Sequence, residues 1–175
     1  MGERLLAVRE FVEGDEMFLA NYADGLSDFP LPKMLDHLAR TNAVASFLAV
    51  RPHTSFHFVE GDNDGTVTAL RSAERMNFLI NGEFLAFRRE IFDHMRPGEE
   101  LVLQPFARLV QQRLLTSRPY QGFWRACDTF KDLQTLESLL GRGPAPWELW
   151  RRPEPTLDLT PIDGAESILP ALAEG

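Results

Sequence analysis

Two aspartates are the residues with the clearest potential for chemistry. Asp24 follows a short apolar segment, residues 17–22, and Asp128 precedes a segment with helical spacing, residues 129–140. They lie far apart in sequence, so only the tertiary fold could bring them together. A pair of carboxylates can hold Mg²⁺, which prefers oxygen ligands and shares them with substrate phosphates. Aspartate is also common before glycine in turns and in front of helices, so this pattern alone leaves a purely structural role open.

Composition excludes several classes of function. The chain has 175 residues, of which 44% are hydrophobic, which suits one packed domain. The formal net charge of −8 argues against nucleic acid as the main partner, since phosphate backbones require clustered Lys and Arg. No apolar run has the length of a membrane span, so no membrane partner is predicted. The single cysteine, Cys127, excludes an intrachain disulfide and favours a reducing compartment, so we expect a cytoplasmic location.

The order of the predicted elements indicates an α/β fold. Apolar strands at 17–22 and 43–51 flank a helix at 31–40, an order typical of a parallel crossover unit. A polar turn at 61–65 predicts a hairpin. The remaining predictions are a strand-like or helical start at 4–11, hairpin strands at 53–60 and 66–70, a strand at 78–87, helices at 88–95, 104–114 and 129–140, a loop at 118–122, and an extended tail or linker at 151–175 following a domain at 1–150.

Three sequence blocks resemble the sugar-1-phosphate nucleotidylyltransferases of the glucose-1-phosphate cytidylyltransferase type. They are GERLLAVREFVEGDEMFLANYADGLSD, FLINGEFLAFRREIFDHMRPGEEL and QGFWRACDTFKDLQTLESLL with the following GRGPAPWELW. The blocks appear in the order of the family and cover about residues 2–150. The resemblance implies a three-layer α/β/α fold with a mixed, mostly parallel sheet of the nucleotide-diphospho-sugar transferase type, truncated at its N-terminal side.

The resemblance also assigns roles to individual residues. It implies that Asp24 and Asp128 hold Mg²⁺ on the reacting phosphates, and that five further residues contact substrate: Arg4, Ala23, Asn81, Gly82 and Thr129. Plainer readings stay open, because an N-terminal arginine can be a surface residue, Asn81-Gly82 can form a bulge, and a threonine can cap a helix.

The implied reaction joins a sugar 1-phosphate to the α-phosphate of a nucleoside triphosphate, CTP by resemblance, and releases pyrophosphate. Such a transfer needs positioning and charge neutralisation rather than a nucleophilic side chain. We therefore predict no catalytic side chain. Cys127 and the four histidines at positions 37, 53, 57 and 94 are interpreted as packing or surface residues.

The chain departs from the family pattern in several places. It lacks the Gly-rich turn that wraps the triphosphate, and RSAERMN at 71–77 replaces a Glu-Lys-Pro triplet whose lysine contacts the sugar phosphate. Arg71 or Arg75 could replace that lysine. Glu83 stands where a second glycine is expected, and Leu103-Gln104 replace acidic residues. These departures keep a second hypothesis open, a catalytically degenerate sugar-nucleotide-binding or regulatory subunit. A sheet without its nucleotide-binding half would expose a strand edge and apolar faces, so we predict a marginally stable chain that forms a homo-oligomer or is prone to aggregation.

Overall fold

The computed structural model describes residues 1–53, 56–73 and 78–151. Its helices are α1 (Gly2–Ala7), α2 (Arg9–Val12), α3 (Pro32–Ala39), α4 (Pro105–Gln111) and α5 (Phe130–Leu140), with 3₁₀ helices at Arg89–His94 and Leu149–Arg151. Its strands are β1 (Met17–Asn21), β2 (Gly25–Ser27), β3 (Ala45–Val50), β4 (His57–Gly61), β5 (Val67–Ser72), β6 (Ile80–Arg88), β7 (Leu115–Tyr120) and β8 (Trp124–Ala126).

A four-stranded mixed sheet forms the centre of the molecule, in the order β1-β6-β3-β7. Strand β6 runs antiparallel to both of its neighbours, so β1 and β3 point the same way with β6 inserted between them. Strands β3 and β7 pair in parallel, from Ala45 opposite Leu115 to Val50 opposite Tyr120. The predicted α/β fold with a mixed sheet is confirmed, but the parallel pairing in this sheet is confined to β3 and β7.

The sheet has a hydrophobic layer on each face because side chains alternate along its strands. Leu85 and Phe87 of β6 join a cluster with α4 and the first 3₁₀ helix, whereas Ala86 between them joins a cluster with α3. Helix α3 starts at Pro32, where a missing N–H costs little, and buries Met34 and Leu38 completely. Helices therefore cover both faces, and this places the ends of the strands at the surface.

Several element predictions are confirmed and others are wrong. The start of the chain is helical, and the hairpin, the helix α3 and the helix α5 form where predicted. The expected loop at 118–122 is wrong, because residues 118–120 belong to β7. The prediction of a loop relied on Pro119. A proline is compatible with an edge strand, and β7 is such a strand because it pairs only with β3 in the described residues. The helix expected at 88–95 is a 3₁₀ helix. The predicted tail lies outside the described residues from 152 onward.

Two small antiparallel sheets accompany the central one. Strands β2 and β8 form a short ribbon, and β4 and β5 form the predicted hairpin. The hairpin is a separate two-stranded sheet, and every residue of β4 is exposed. In the part of the chain that the structure describes, no helix is long and apolar enough to cross a bilayer.

Candidate functional site

The ribbon of β2 and β8 brings the two predicted metal aspartates together. Its register places Gly25 opposite Ala126, so Asp24 directly precedes one strand and Asp128 closely follows the other. The N–H of Cys127 donates to the carbonyl oxygen of Asp24 at 2.9 Å, which fixes the two strand ends side by side. The pairing that sequence alone could not establish is therefore present in the fold.

Hydrogen bonds beyond the ribbon hold its far end. The Ser27 hydroxyl donates to the carbonyl oxygen of Phe123 at 2.9 Å. The N–H of Phe123 in turn donates to Oδ1 of Asp28 at 2.8 Å. The ribbon has only three residues on each strand, so these contacts add the constraint that a short ladder lacks.

Glu83 contributes a third carboxylate to the same corner. Its Oε2 is buried and has no hydrogen-bond partner in the described residues. Burial, followed by the negative charges of Asp24 and Asp128, raises the pKa of Glu83 to about 7. A Cβ atom at position 25 would lie 2.7 Å from Oε2 of Glu83, so Gly25 leaves the space that this side chain occupies.

The backbone at Glu83 adopts a conformation that favours glycine, with a φ of 69°. The left-handed region costs a residue with a Cβ roughly 1–2 kcal/mol. Two hydrogen bonds hold this backbone: its N–H donates to Oδ1 of Asn81 at 3.0 Å, and its carbonyl accepts from the N–H of Tyr22 at 3.2 Å. The strained residue thus carries the unpartnered carboxylate.

A bulge in β6 aims Glu83 at the aspartates. The register between β3 and β6 shifts between Phe47 and Ala49, and residues 82–84 take up the difference. Bulges often redirect a side chain beside a functional site. The bulge reading of Asn81-Gly82 is therefore confirmed, and Asn81 uses its side chain to support the bend. Its predicted contact with a sugar stays a prediction.

Packing around Gly82 leaves little room for a side chain. A Cβ there would lie 3.0 Å from Cγ1 of Val50 and 3.1 Å from the carbonyl oxygen of Leu48. The carbonyl of Gly82 accepts from Nε1 of Trp124 at 2.7 Å. This contact joins the ribbon to the central sheet immediately next to Glu83.

The other predicted site residues lie in a turn, at a helix start and on an exposed helix face. Ala23 is exposed in the turn before Asp24. Thr129 directly follows Asp128, and its hydroxyl accepts from the N–H of Asp132 at 3.2 Å in a capping box that starts α5. The capping role is confirmed, and a substrate contact of Thr129 stays a prediction. Arg4 lies on the exposed side of α1, and its role also stays a prediction.

Only one of the two candidate replacements for the missing lysine, Arg71, lies in the described residues. Arg71 lies on β5, where its Nε pairs with Oε1 of Glu60 at 2.8 Å across the hairpin. Arg75 lies outside the described residues.

Two adjoining cavities open beside this corner. The smaller, about 160 Å³, is lined by Asp128, Arg125 and Ile80 among others. The larger, about 320 Å³, is lined by Arg51 and Gln121 among others. His53 and Trp124 line both cavities. Sequence reasoning missed Arg51 and Gln121, although both follow the carboxyl ends of parallel strands, where α/β sheets place ligand residues.

The residues of this corner fit a divalent cation. Carboxylate oxygens are the ligands that Mg²⁺ prefers, and the unpartnered oxygen of Glu83 shows unused acceptor capacity. Within the described ranges, no three His, Cys, Asp or Glu side chains converge as ligands of one metal ion. A cation here would therefore rest on Asp24 and Asp128 and take its other ligands from water or substrate.

Comparisons with known proteins bear on the family resemblance seen in the sequence. The chain is 30% identical over 151 residues to a glucose-1-phosphate cytidylyltransferase of Salmonella typhimurium, and 29% identical over 150 residues to that of Salmonella typhi. Each match covers 85% of this chain and 58% of the relative, so the chain spans little more than half of these proteins. No protein-family model matches the chain. The sequence resemblance to this kind of nucleotidylyltransferase is therefore confirmed over most of the chain.

A solved structure supports the fold. A Bacillus anthracis protein assigned as a glucose-1-phosphate thymidylyltransferase, crystallised with sucrose, superposes with a TM-score of 0.57 at 12% identity. The superposition covers 79% of this chain and 60% of that one. At this identity the likeness establishes the α/β fold and leaves the ligand open.

Proposed function

We propose that this chain carries the sugar-facing and metal-binding part of a sugar-1-phosphate nucleotidylyltransferase. The reaction would form a nucleotide sugar and pyrophosphate from a sugar 1-phosphate and a nucleoside triphosphate, with CTP suggested by the cytidylyltransferase relatives. The observation that carries the proposal is the convergence of Asp24 and Asp128 through the ribbon of β2 and β8.

Electrostatics explains why such a site needs a cation. Burial, and after it the negative charges of Asp24 and Asp128, raises the pKa of Glu83, so this corner already disfavours a further negative charge. Substrate phosphates would add further negative charge to the same corner. Bound Mg²⁺ would supply charge neutralisation between these carboxylates and the phosphate oxygens.

The chain itself would position the substrates. Gly25 leaves room for the Glu83 side chain beside the aspartates, and the bond from Trp124 to Gly82 holds the ribbon against the sheet. Fixed groups of this kind orient a substrate without contributing a nucleophile. Asn81, next to the bulge, would contact the sugar, and Arg4, Ala23 and Thr129 would contact the nucleotide or sugar as the family pattern implies. We also propose that the protein acts as a homo-oligomer in the cytoplasm.

Glu83 favours a second candidate, a sugar-nucleotide-binding or regulatory subunit without catalysis. Its carboxylate lies beside the two aspartates and would compete with a substrate phosphate for the same cation. Under this alternative the chain binds a sugar nucleotide and does not form one.

Calorimetric titration tests the proposal. The chain is titrated with glucose 1-phosphate, CTP and CDP-glucose, each with and without Mg²⁺, and the titrations are repeated on Asp24→Asn and Asp128→Asn. Asp36→Asn, an exposed change on α3, is the matched control. We expect Mg²⁺-dependent binding that both site variants lose and the control keeps.

Two outcomes decide between the candidates. A folded chain that binds none of these ligands contradicts both. If binding is present, an assay for CDP-glucose formation by the full-length protein separates them, because the subunit hypothesis requires binding without turnover.

A further inference from the structure

One edge of the central sheet is open in the described residues. Strand β1 lies at the end of the sheet and pairs there with β6 alone. The N–H of Tyr22, directly after β1, donates to the carbonyl oxygen of Glu83. Backbone bonds alternate along an antiparallel strand, so the even-numbered residues of β1 also bond toward β6. The N–H and carbonyl groups of Met17, Leu19 and Asn21 therefore point to the open side.

The opposite edge of the sheet carries protective residues that β1 lacks. Strand β7 contains Arg118 and Pro119, and both are exposed. Charged side chains and prolines are common means by which proteins prevent a further strand from adding to an edge. Strand β1 has the sequence MFLAN, with no charge, no proline and no bulge in its register with β6. An edge of this kind can accept another strand.

A small groove lies beside the open edge. Its volume is about 120 Å³, and Leu19, Asn21 and Leu31 are among its lining residues. Leu19 and Leu31 are 38% and 39% exposed, although both side chains are large and apolar. A strand added to β1 would lie against this groove and remove apolar surface from water. The edge therefore offers hydrophobic burial in addition to backbone hydrogen bonds.

The charge of the edge suits a second copy of this chain. Two copies that each carry a net charge of −8 repel one another wherever their acidic surfaces meet. Strand β1 is neutral, and Glu16 beside it is paired with Arg88 at 3.1 Å. Two copies can therefore meet along this strand without like charges on the paired residues.

An antiparallel pair about a two-fold axis at Leu19 uses every open group. Leu19 would lie opposite Leu19 of the second copy, and Met17 would lie opposite its Asn21. At such positions each residue donates one bond and accepts one, so three residues from each copy make six bonds. This number is within the range of about 10 ± 5 direct hydrogen bonds in a typical interface. The combined sheet would end on the protected strand β7 at both sides, so the assembly closes as a dimer.

We propose that the chain forms a two-fold symmetric dimer in which β1 pairs with β1 of a second copy and joins the two central sheets into one. This inference rests on the homo-oligomer of the proposed function, and it assigns the interface. Asp24 lies three residues beyond Asn21, so the strand that forms the interface also leads into the candidate site.

Sedimentation velocity on the full chain, at concentrations from about 1 to 100 μM, measures the association. We expect the wild-type chain to dimerise. Leu19→Lys removes two leucines from the interface and places like charges opposite each other, so it should raise the dissociation constant about a hundredfold or more. Leu103→Lys, which changes a leucine that is 68% exposed in front of α4, is the matched control and should leave the dimer unchanged. Circular dichroism checks that each variant is folded.

Charge complementation tests the register. Leu19→Glu, like Leu19→Lys, should be monomeric on its own. An equimolar mixture of the two variants should dimerise again, because opposite charges then face each other across the axis. A mixture of the two folded variants that stays monomeric would overturn the pairing about Leu19.

Hydrogen exchange tests the interface in the wild-type chain, without any variant. The amides of Met17, Leu19 and Asn21 should be protected at concentrations at which the chain is dimeric, and they should exchange rapidly after dilution to the monomer. The amides of Phe18 and Ala20 bond toward β6 and should be protected in both states. Rapid exchange at the three open positions in the dimer would contradict the inference.

The outcomes separate the inference from the proposed function. A dimer that survives Leu19→Lys has another interface, so the homo-oligomer stands and the inference fails. A chain that stays monomeric over the whole range of concentrations contradicts the inference and the homo-oligomer together. The ligand titrations decide the candidate site independently, because Asp24→Asn and Asp128→Asn leave the residues of β1 unchanged.

Discussion

Strand β6 carries two charged side chains with opposite surroundings, one at its C-terminal end and one at its bulge. At the C-terminal end, the guanidinium of Arg88 donates to the carbonyl oxygens of Ala43, Leu38 and Thr41 at 3.2–3.3 Å and pairs with Glu16 at 3.1 Å. At the bulge, Glu83 has a left-handed backbone and an oxygen that is buried without a partner in the described residues.

This difference distinguishes a residue that supports the fold, Arg88, from a residue of the candidate site, Glu83. Folded proteins satisfy nearly all of their buried polar groups, so an exception calls for an explanation. Arg88 ties the turn after α3 to the sheet, and its guanidinium is engaged by protein groups rather than by a ligand. Glu83 lies beside two further carboxylates, and strained residues of this kind persist at functional sites. A change of Arg88 should thus lower the stability of the protein, and a change of Glu83 should raise it.

The largest effect is expected at Arg88. Arg88→Leu removes the donor for three carbonyl oxygens in a half-buried turn, so we expect a loss of about 3 kcal/mol in the free energy of unfolding. Urea denaturation followed by circular dichroism measures it. Arg89→Leu, at the exposed neighbouring position, is the control and should change stability by about 0.5 kcal/mol or less. Similar losses in both variants would mean that the network around Arg88 contributes little.

A gain of stability is expected at the bulge, where Glu83 lies. Glu83→Gly removes a Cβ from a left-handed position and a buried carboxylate oxygen without a partner, so the free energy of unfolding should rise by about 1–2 kcal/mol. Glu83→Gln keeps the backbone strain and removes the charge, and it should give a smaller gain. Destabilisation by Glu83→Gly would show that packing of the side chain outweighs its strain, and the contrast with Arg88 would fail.

The main elements of the fold follow from local patterns in the sequence. Continuous apolar runs predicted β1 and β3, and the Thr129 to Asp132 capping box begins α5 where the spacing predicted it. The pairing partners of the strands did not follow, because strand order depends on contacts distant in sequence. Pro119 concealed β7, since a proline is a loop signal unless the strand is known to lie at an edge.

The candidate site was predictable only in part. The family pattern identified Asp24 and Asp128, and the short ribbon that joins them was not visible in local periodicity. Glu83 stood out as a departure from the expected glycine, but its position depends on a bulge that only the register of β3 and β6 reveals. Arg51 was missed because a single arginine after an apolar run carries no signal until the cavity beside it is known.

The dependence of stability on pH gives the finest test of the contrast. The pKa of Glu83 is raised from 4.5 to about 7, so the folded chain holds this proton more tightly than the unfolded chain does. Between about pH 4.5 and 7 the unfolded state loses its proton first, and stability should fall as pH rises through that window. Burial lowers the pKa of His37, and this group contributes in the opposite direction, since the unfolded state binds its proton more tightly.

The contribution of Glu83 is isolated by difference. Urea midpoints are measured at several pH values from 4.5 to 7.5, without added metal, for the wild-type chain and for Glu83→Gln. His37 and the other carboxylates titrate in both proteins, so their effects cancel. The stability of the wild-type chain relative to the variant should fall with rising pH and level off above about pH 7. Because Glu83 is partly open to solvent, this change should be smaller than that of Glu83→Gly. A constant difference across the window would show that neither burial nor the negative charges of Asp24 and Asp128 raise the pKa of Glu83, and Glu83 and Arg88 would then differ in geometry alone.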